Sequence, residues 1–449
     1  MEKKDCYLDA AASAVSKAGQ LGAQLAEAYI SSAKELTIEV RDGQVETMKL
    51  AEDRGMGLRV FREGRTGFSF STDLSPGGVE DATRQALANC GKTAQDPYHH
   101  LPPPGPAYPE LDIYDPAIRA VTVEKKIEMA KYMEETARAC DSRVKIIESS
   151  SYQDGEVTVS VVNSHGMKLS YRGAYCGIYL ALVAGEGDDS HTGFALDFSL
   201  KYNQLKPDLV GQKAARRAVQ MLGAAPVATR KAAVVLDPYV ATGFLGLIGP
   251  ALTGEAVQKG RSLFAGKVGT RVASDKVTVI DDGAMPGGIA SAPFDGEGVP
   301  TSRTVLIEGG VLKGYLYNTY TAAKDGVQST GNGIRSTFKG TPEVGVTNLF
   351  IEAGPISSED IIKDTKNGLY VTEVMGMHTA NPISGDFSVG VAGLLIENGE
   401  LTRPVRGMAM GGNVVDFLAH VDAAGNDLQF FGGKGAPTIR VAEMTIGGR

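Results

Sequence analysis

The sequence predicts an α+β chain: a duplicated helix–sheet–helix N-terminal domain followed by a large, mainly antiparallel β C-terminal domain. Three observations predict it. Glycine supplies 56 of 449 residues with no fixed period, well above the usual ~7% and suited to a turn-rich β protein. Helical and alternating patterns recur in the same order on both sides of a proline-rich segment. Beyond residue 231 helical spacing fades and glycine-punctuated strand patterns take over.

Taken in order, Leu8, Ala12, Val15 and Ala18 trace a helix stripe behind a candidate N-cap at Asp5. Glu35 to Val40 alternates, turns at Asp42-Gly43 and returns through Val45 and Thr47, a strong hairpin signal. Residues 96–116 hold seven of the 20 prolines and read as a semi-rigid linker lying against the surface. After it, Val123, Ile127, Ala130, Met133, Ala137 and Cys140 form a second stripe, and Glu156 to Val161 alternates again. Thr66-Gly-Phe68 recurs as Thr192-Gly-Phe194, each copy preceding an amphipathic helix, near Gly78–Cys90 and Asp208–Leu222. Such self-similarity argues for two like units, 1–95 and 117–225, expected to share one sheet and one core. Together they make an N-terminal domain over 1–225.

The C-terminal domain, 231–449, opens with a buried strand at Ala232–Leu236. An apolar helix is expected from Pro238 to about Gln258. Leu306 to Leu312 and Leu395 to Leu401 repeat one hairpin around Gly309-Gly310 and Asn398-Gly399. Helix is expected thereafter only at Ser357–Lys363 and Asn413–Val421.

Charge and composition exclude several classes. The net charge is −8, and no basic run exceeds two residues, so no phosphate-tracking surface for nucleic acid is expected. The longest weakly polar stretch, Val240 to Leu252, is too short to span a bilayer. Four widely spaced cysteines and no apolar leader point to reduced thiols in the cytoplasm. There is no P-loop, no nucleophile elbow and no His-Glu-x-x-His, so phosphate cradling, serine hydrolysis and zinc hydrolysis have no recognisable start. His99-His100 reads as a solvated pair beside the linker; His378, before a loop, is the histidine to watch. Acid-bearing turns remain at Asp281-Asp282, Asp295-Gly-Glu297, Asn332-Gly-Ile-Arg335 and Gly385-Asp386. Paired acids such as Asp295 and Glu297 can do acid–base work, yet no nucleophile–base pair accompanies them.

The order of these turns resembles the TldD/PmbA family, long labelled modulators of DNA gyrase. The resemblance rests on Thr253 to Ser262, Gly266 to Gly269, Val279 to Asp282, Phe294 to Thr301, Thr330 to Gly333, Gly385 to Ser388 and the terminal Gly447-Gly448. More loosely it takes in Arg41 to Glu46 and the Thr-Gly-Phe strand. The family has two related subunits that pair. One carries His-Glu-x-x-x-His on the apolar helix and, with a later Cys, holds the catalytic metal. Aligned on Lys259-Gly260, those positions fall on Leu245, Gly246 and Pro250, and no Cys follows Cys176. The chain is therefore similar to the PmbA (TldE) type, the subunit without the metal.

The resemblance implies a heterodimeric metallopeptidase that degrades or trims unfolded peptides. No cofactor is expected in this chain; a divalent metal, zinc by the family's chemistry, belongs to a TldD-like partner. The expected contribution here is chamber and peptide channel. Candidates for the channel are Gly287, Gly288, Asp295, Glu297, Gly331, Asn332, Gly333, Arg335, His378 and Asp386, the glycines allowing close backbone approach of a peptide strand. When the partner is absent, a C₂ pair through the same patch is the expected substitute. The alternative is a protein-binding modulator of DNA gyrase or another DNA-handling complex, without direct DNA contact.

Overall fold

In the computed structural model, which describes residues 3–448, the two N-terminal repeats build a single sheet. Helix α1 (Lys3–Gln20) leads into β1 (Leu25–Arg41), β2 (Gln44–Arg62), β3 (Arg65–Ser71) and α2 (Pro76–Cys90). After the linker and a single turn, α3 (Ala117–Ala120), the order repeats: α4 (Val123–Cys140), β4 (Val144–Asn163), β5 (Lys168–Glu186), β6 (Asp189–Ser199) and α5 (Pro207–Val219). Strand order is β3-β2-β1-β4-β5-β6, antiparallel throughout, with β1 against β4 at the centre. The two units thus meet strand to strand. Asp42 and Gly43 both take positive φ, 48° and 71°, as a tight hairpin turn between right-twisted strands demands.

The repeated Thr-Gly-Phe has a packing reason. A Cβ on Gly67 would lie 2.0 Å from the Ala86 carbonyl oxygen of α2, and one on Gly193 would lie 2.4 Å from that of Ala214 in α5. In each unit the helix backbone rests directly on a strand glycine.

Two expectations for this region change. The sheet is shared but the core is not: one cluster gathers Ala11, Ile30, Leu58 and Ala86, another Met133, Ile147, Leu180 and Ala214. Each helix pair has its own core, although α1 also packs on β4 and α4 on β1, and the long β1 passes from one core (Ile30) into the other (Ile38, Val40). Nor does the helix begin behind Asp5, because α1 already runs from Lys3; the Asp5 side chain lies outside the described residues.

The linker forms no helix or strand over 91–116, but it is pinned at several points. Asn163 Nδ2 donates to Pro102 O at 2.9 Å, Tyr108 OH to Gly298 O at 3.2 Å, and Ala174 N to Ile113 O at 2.8 Å. His99 is half-buried rather than fully solvated: it stacks on Tyr320 with ring centroids 4.8 Å apart, and burial lowers its pKa. The adjacent His100 is exposed.

The C-terminal region runs β7 (Arg230–Leu236), α6 (Pro238–Ile248), α7 (Gly254–Gln258), β8 (Val279–Asp282), β9 (Arg303–Glu308), β10 (Val311–Leu312), α8 (Thr319–Asp325), β11 (Gly333–Ile334), β12 (Glu343–Val344) and β13 (Leu349–Ile351). It continues with α9 (Ser358–Lys363), β14 (Asn367–Met375), β15 (Asp386–Glu397), β16 (Glu400–Asn413), α10 (Val414–Ala419), β17 (Val421–Ala424), β18 (Gln429–Phe431), β19 (Lys434–Ala436) and β20 (Ile439–Gly447). Two six-stranded sheets result, β10-β9-β8-β13-β19-β18 and β16-β15-β14-β7-β20-β17. Pairing is mostly antiparallel, with β7–β14 and β13–β19 parallel.

Helix α6 lies between these sheets, touching β7 and β14 of one and β13, β18 and β19 of the other. That position explains a helix apolar nearly all round, with Val240, Phe244, Leu245, Leu247 and Ile248 buried. Asp237 caps it through Tyr239 N at 2.9 Å and also takes both oxygens to Arg217 of α5, at 2.9 and 3.0 Å. The helix does not reach Gln258 unbroken. It ends before Gly249-Pro250, passes through a 3₁₀ turn and restarts as α7 behind the Thr253 cap. Pro250 brings no N–H to an α-helical ladder. No helix among the described residues is long and apolar enough to cross a membrane.

Candidate functional site

Where α6 breaks, a cavity of about 520 Å³ opens between α6, α7, the segment joining β12 to β13, the β14–β15 loop and the start of β19. Leu245, Val344, Val346, Leu349, Pro382 and Ile383 give it apolar walls. Its charged groups are Glu255 and Lys259, paired at 2.5 Å, together with Arg261 and Lys434. Lys434 is half-buried. A Cβ built on Gly246 would lie 3.0 Å from its Nζ, so the ammonium fills the space a side chain at 246 would use.

Leu245, Gly246 and Pro250 all line this cavity. They do not fit a divalent metal: none carries a side-chain lone pair, and the neighbouring ammonium repels a second cation. Among the described residues no group of three or more His, Cys, Asp or Glu is placed to hold a metal ion. Nothing in the spacing singles out Lys434. Its setting, Gly432-Gly-Lys-Gly435, was the available signal, a lone cation in a backbone free of side chains.

Two of the acid-bearing turns, Asp295-Gly-Glu297 and Asn332-Gly-Ile-Arg335, come together elsewhere. Arg59 Nη2 donates to Glu27 Oε2 at 2.9 Å and to Glu297 Oε1 at 3.0 Å. Arg335 pairs with the other oxygen of Glu27 and donates from Nε to Gly296 O at 2.7 Å. Thr319 N donates to Glu297 Oε2 at 2.8 Å. Asp295 accepts from Gly333 N at 2.7 Å, Glu297 N at 2.9 Å and Val299 N at 3.0 Å. All five charged residues are buried. Burial, with the nearby Glu297 carboxylate second, raises the Asp295 pKa from 3.8 to about 7. Two guanidinium groups face three carboxyl groups, an excess of one acid that favours a protonated carboxyl in the cluster.

Of the glycines proposed for close approach, Gly331 and Gly333 meet the chain's own atoms. A Cβ on Gly331 would lie 2.5 Å from Pro300 O, and one on Gly333 2.9 Å from both the Asp295 and Glu297 carboxylates. Gly288 likewise abuts Asn348 and Ser291 at 2.7 Å, while Gly287, at φ 75°, has open space. Asn332 is buried and donates to Asp281 Oδ2 at 2.8 Å and Gly345 O at 3.0 Å. His378 is exposed in the β14–β15 loop. Asp386, exposed at that loop's end, accepts from Ser384 and Asn413, which lower its pKa. Of these candidates, Asp295, Glu297, Gly333 and Arg335 therefore form one cluster.

Comparison with known proteins bears on this arrangement. Residues 26–90 match PmbA/TldA metallopeptidase domain 1, residues 116–222 the central domain and residues 229–448 the C-terminal domain. The chain belongs to the PmbA/TldD metallopeptidase family. Within that family, it is 30% identical over 428 residues to the metalloprotease PmbA of Escherichia coli O157:H7, covering 94% of this chain and 92% of that one. Its fold matches a Thermotoga maritima protein described as a modulator of a DNA gyrase, with TM-score 0.91 and 27% identity, over 98% of this chain and 99% of that one. It also shares the fold of TldE from Thermococcus kodakarensis, with TM-score 0.90 and 24% identity, over 98% of this chain and all of the other (100%).

Proposed function

We propose that this member of the PmbA/TldD peptidase class is the subunit without a metal site in a two-chain enzyme that degrades or trims unfolded peptides. The partner is a TldD-like paralogue whose apolar helix carries His-Glu-x-x-x-His and a divalent metal, zinc by the family's chemistry. This chain contributes walls of the chamber and part of the peptide's path. One observation carries the reading: the cavity at the break of α6 presents Leu245, Gly246 and Pro250, with the Lys434 ammonium beside Gly246. A hydrolytic metal needs lone-pair ligands and an acid–base carboxylate, and those positions supply neither.

The test is a tagged pull-down from the native cytoplasm, with mass spectrometry of the partners and metal analysis of the eluate. A near-stoichiometric relative bearing His-Glu-x-x-x-His, with metal arriving only alongside it, is expected. A chain recovered alone with one metal bound would overturn the reading. Recovery of gyrase subunits instead would favour the modulator role that the Thermotoga protein's description names.

A further inference from the structure

We infer that the cavity at the break of α6 is a carboxylate pocket, with Lys434 as its charged anchor and the free C-terminus of an unfolded, apolar peptide as its occupant. The inference rests on the peptide-handling reading above. Lys434 Nζ makes no hydrogen bond or ion pair among the described residues, although the side chain is half-buried. The ammonium has no protein partner to give up, so an anion entering the cavity gains a charge-assisted bond beside apolar walls. Of the other cations at the rim, Lys259 is committed to Glu255, while Arg261 makes no ion pair among the described residues. Three cations against one acid make the cavity net positive in a chain of net charge −8.

The remaining surface points to a peptide. The apolar wall residues are aliphatic side chains and prolines with no aromatic ring among them, suited to non-polar side chains rather than to a sugar or a base. Along one wall, just after β12, the backbone N–H groups are used alternately. Gly345 N donates to Asn332 O at 3.1 Å and Thr347 N to Asp281 Oδ1 at 2.7 Å. Val346 between them has no backbone partner among the described residues. Its N–H and C=O are free to pair with an added strand, the usual way an unfolded segment is held with little sequence preference. Val346 and Lys434 line the same cavity, so a chain end bound there has both within its walls. One ammonium facing one carboxylate leaves no buried charge unpaired.

The experiment is isothermal titration of the purified full chain with an N-acetylated apolar heptapeptide, prepared as free acid and as C-terminal amide. The free acid should bind about tenfold tighter, the size of one charge-assisted bond, and the preference should shrink with salt. Lys434→Met should abolish the preference and Lys434→Arg should retain it, with thermal melts showing both variants folded. Equal binding of acid and amide by the unmodified chain would overturn the inference, as would a preference that persists in Lys434→Met. Acetate binding as tightly as the peptide acid would overturn the peptide as occupant. These outcomes are independent of the pull-down: a metal-bearing partner can be recovered while acid and amide bind alike, which sinks the pocket alone. An acid preference without any such partner would sink the subunit reading alone.

Discussion

Asp295 is the residue whose behaviour the structure predicts most sharply. Its pKa in the folded chain, about 7, stands above the ordinary 3.8. Between those values the folded chain holds a proton that the unfolded chain has released. Stability therefore falls as pH rises through this window and levels off above it. Urea melts of the native chain and of Asp295→Asn across pH 5–8 check this. The variant's stability should vary less over that range, and parallel curves would refute the assignment. The acid pair Asp295-Gly-Glu297 was legible as a turn with chemistry. Its partners Glu27 and Arg59 were not, because they reach it from β1 and β2, separated by more than two hundred residues. Gly331 and Gly333 were likewise legible as places of close approach. What approaches is Pro300 and the acid pair, so bulky substitutions there would disturb the fold before any peptide could report on them.

At the level of elements, the repeat was readable because its marker has a steric cause. Gly67 and Gly193 each let a helix backbone settle on the sheet, so Thr-Gly-Phe marks equivalent places in two units. A methyl at Gly193 would meet Ala214 O and Ala218 N, both at 2.4 Å. Gly193→Ala should therefore lift α5 and cost about 1–3 kcal/mol through overpacking, seen as a lower denaturation midpoint with an unchanged m-value. A midpoint equal to that of the parent would mean that the contact relaxes freely. The break in α6 was missed although Gly249-Pro250 announces it, because the apolar run continues through the 3₁₀ turn to Leu252 and masks the stop. Helix α8 was missed for the opposite reason. It is short and carries little apolar periodicity, and its evidence lies in its ends: an Asn318–Thr321 capping box and a left-handed Gly326. The carboxylate pocket is assembled the same way, from segments far apart in sequence. Only its α6 wall was visible beforehand.

Across the whole molecule, the buried ion cluster joins the N-terminal sheet to the β-rich half. Glu27 and Arg59 belong to β1 and β2, whereas Glu297 and Arg335 come from C-terminal loops. Around it, Phe338 packs over Gly55 and Gly57 of β2, where added Cβ atoms would come within 2.3 Å of it, and Phe294 joins Tyr29 and Val161 in a small apolar cluster. The apolar contacts supply adhesion. The ions fix how the two halves register, since each charge has taken up its partners at the expense of water. Removing one member strands the others, at a cost of about 3–5 kcal/mol for a buried pair. Arg59→Met keeps much of the side-chain volume but leaves Glu27 with one guanidinium and Glu297 with none. Calorimetry should show the parent melting in one transition and the variant in two, the earlier one at a lower temperature, because the halves no longer stabilise each other. Adding Glu297→Gln to Arg59→Met should recover part of the loss, as the stranded carboxylate is then neutral. A single unshifted transition in Arg59→Met would show that the apolar contacts alone hold the halves in register.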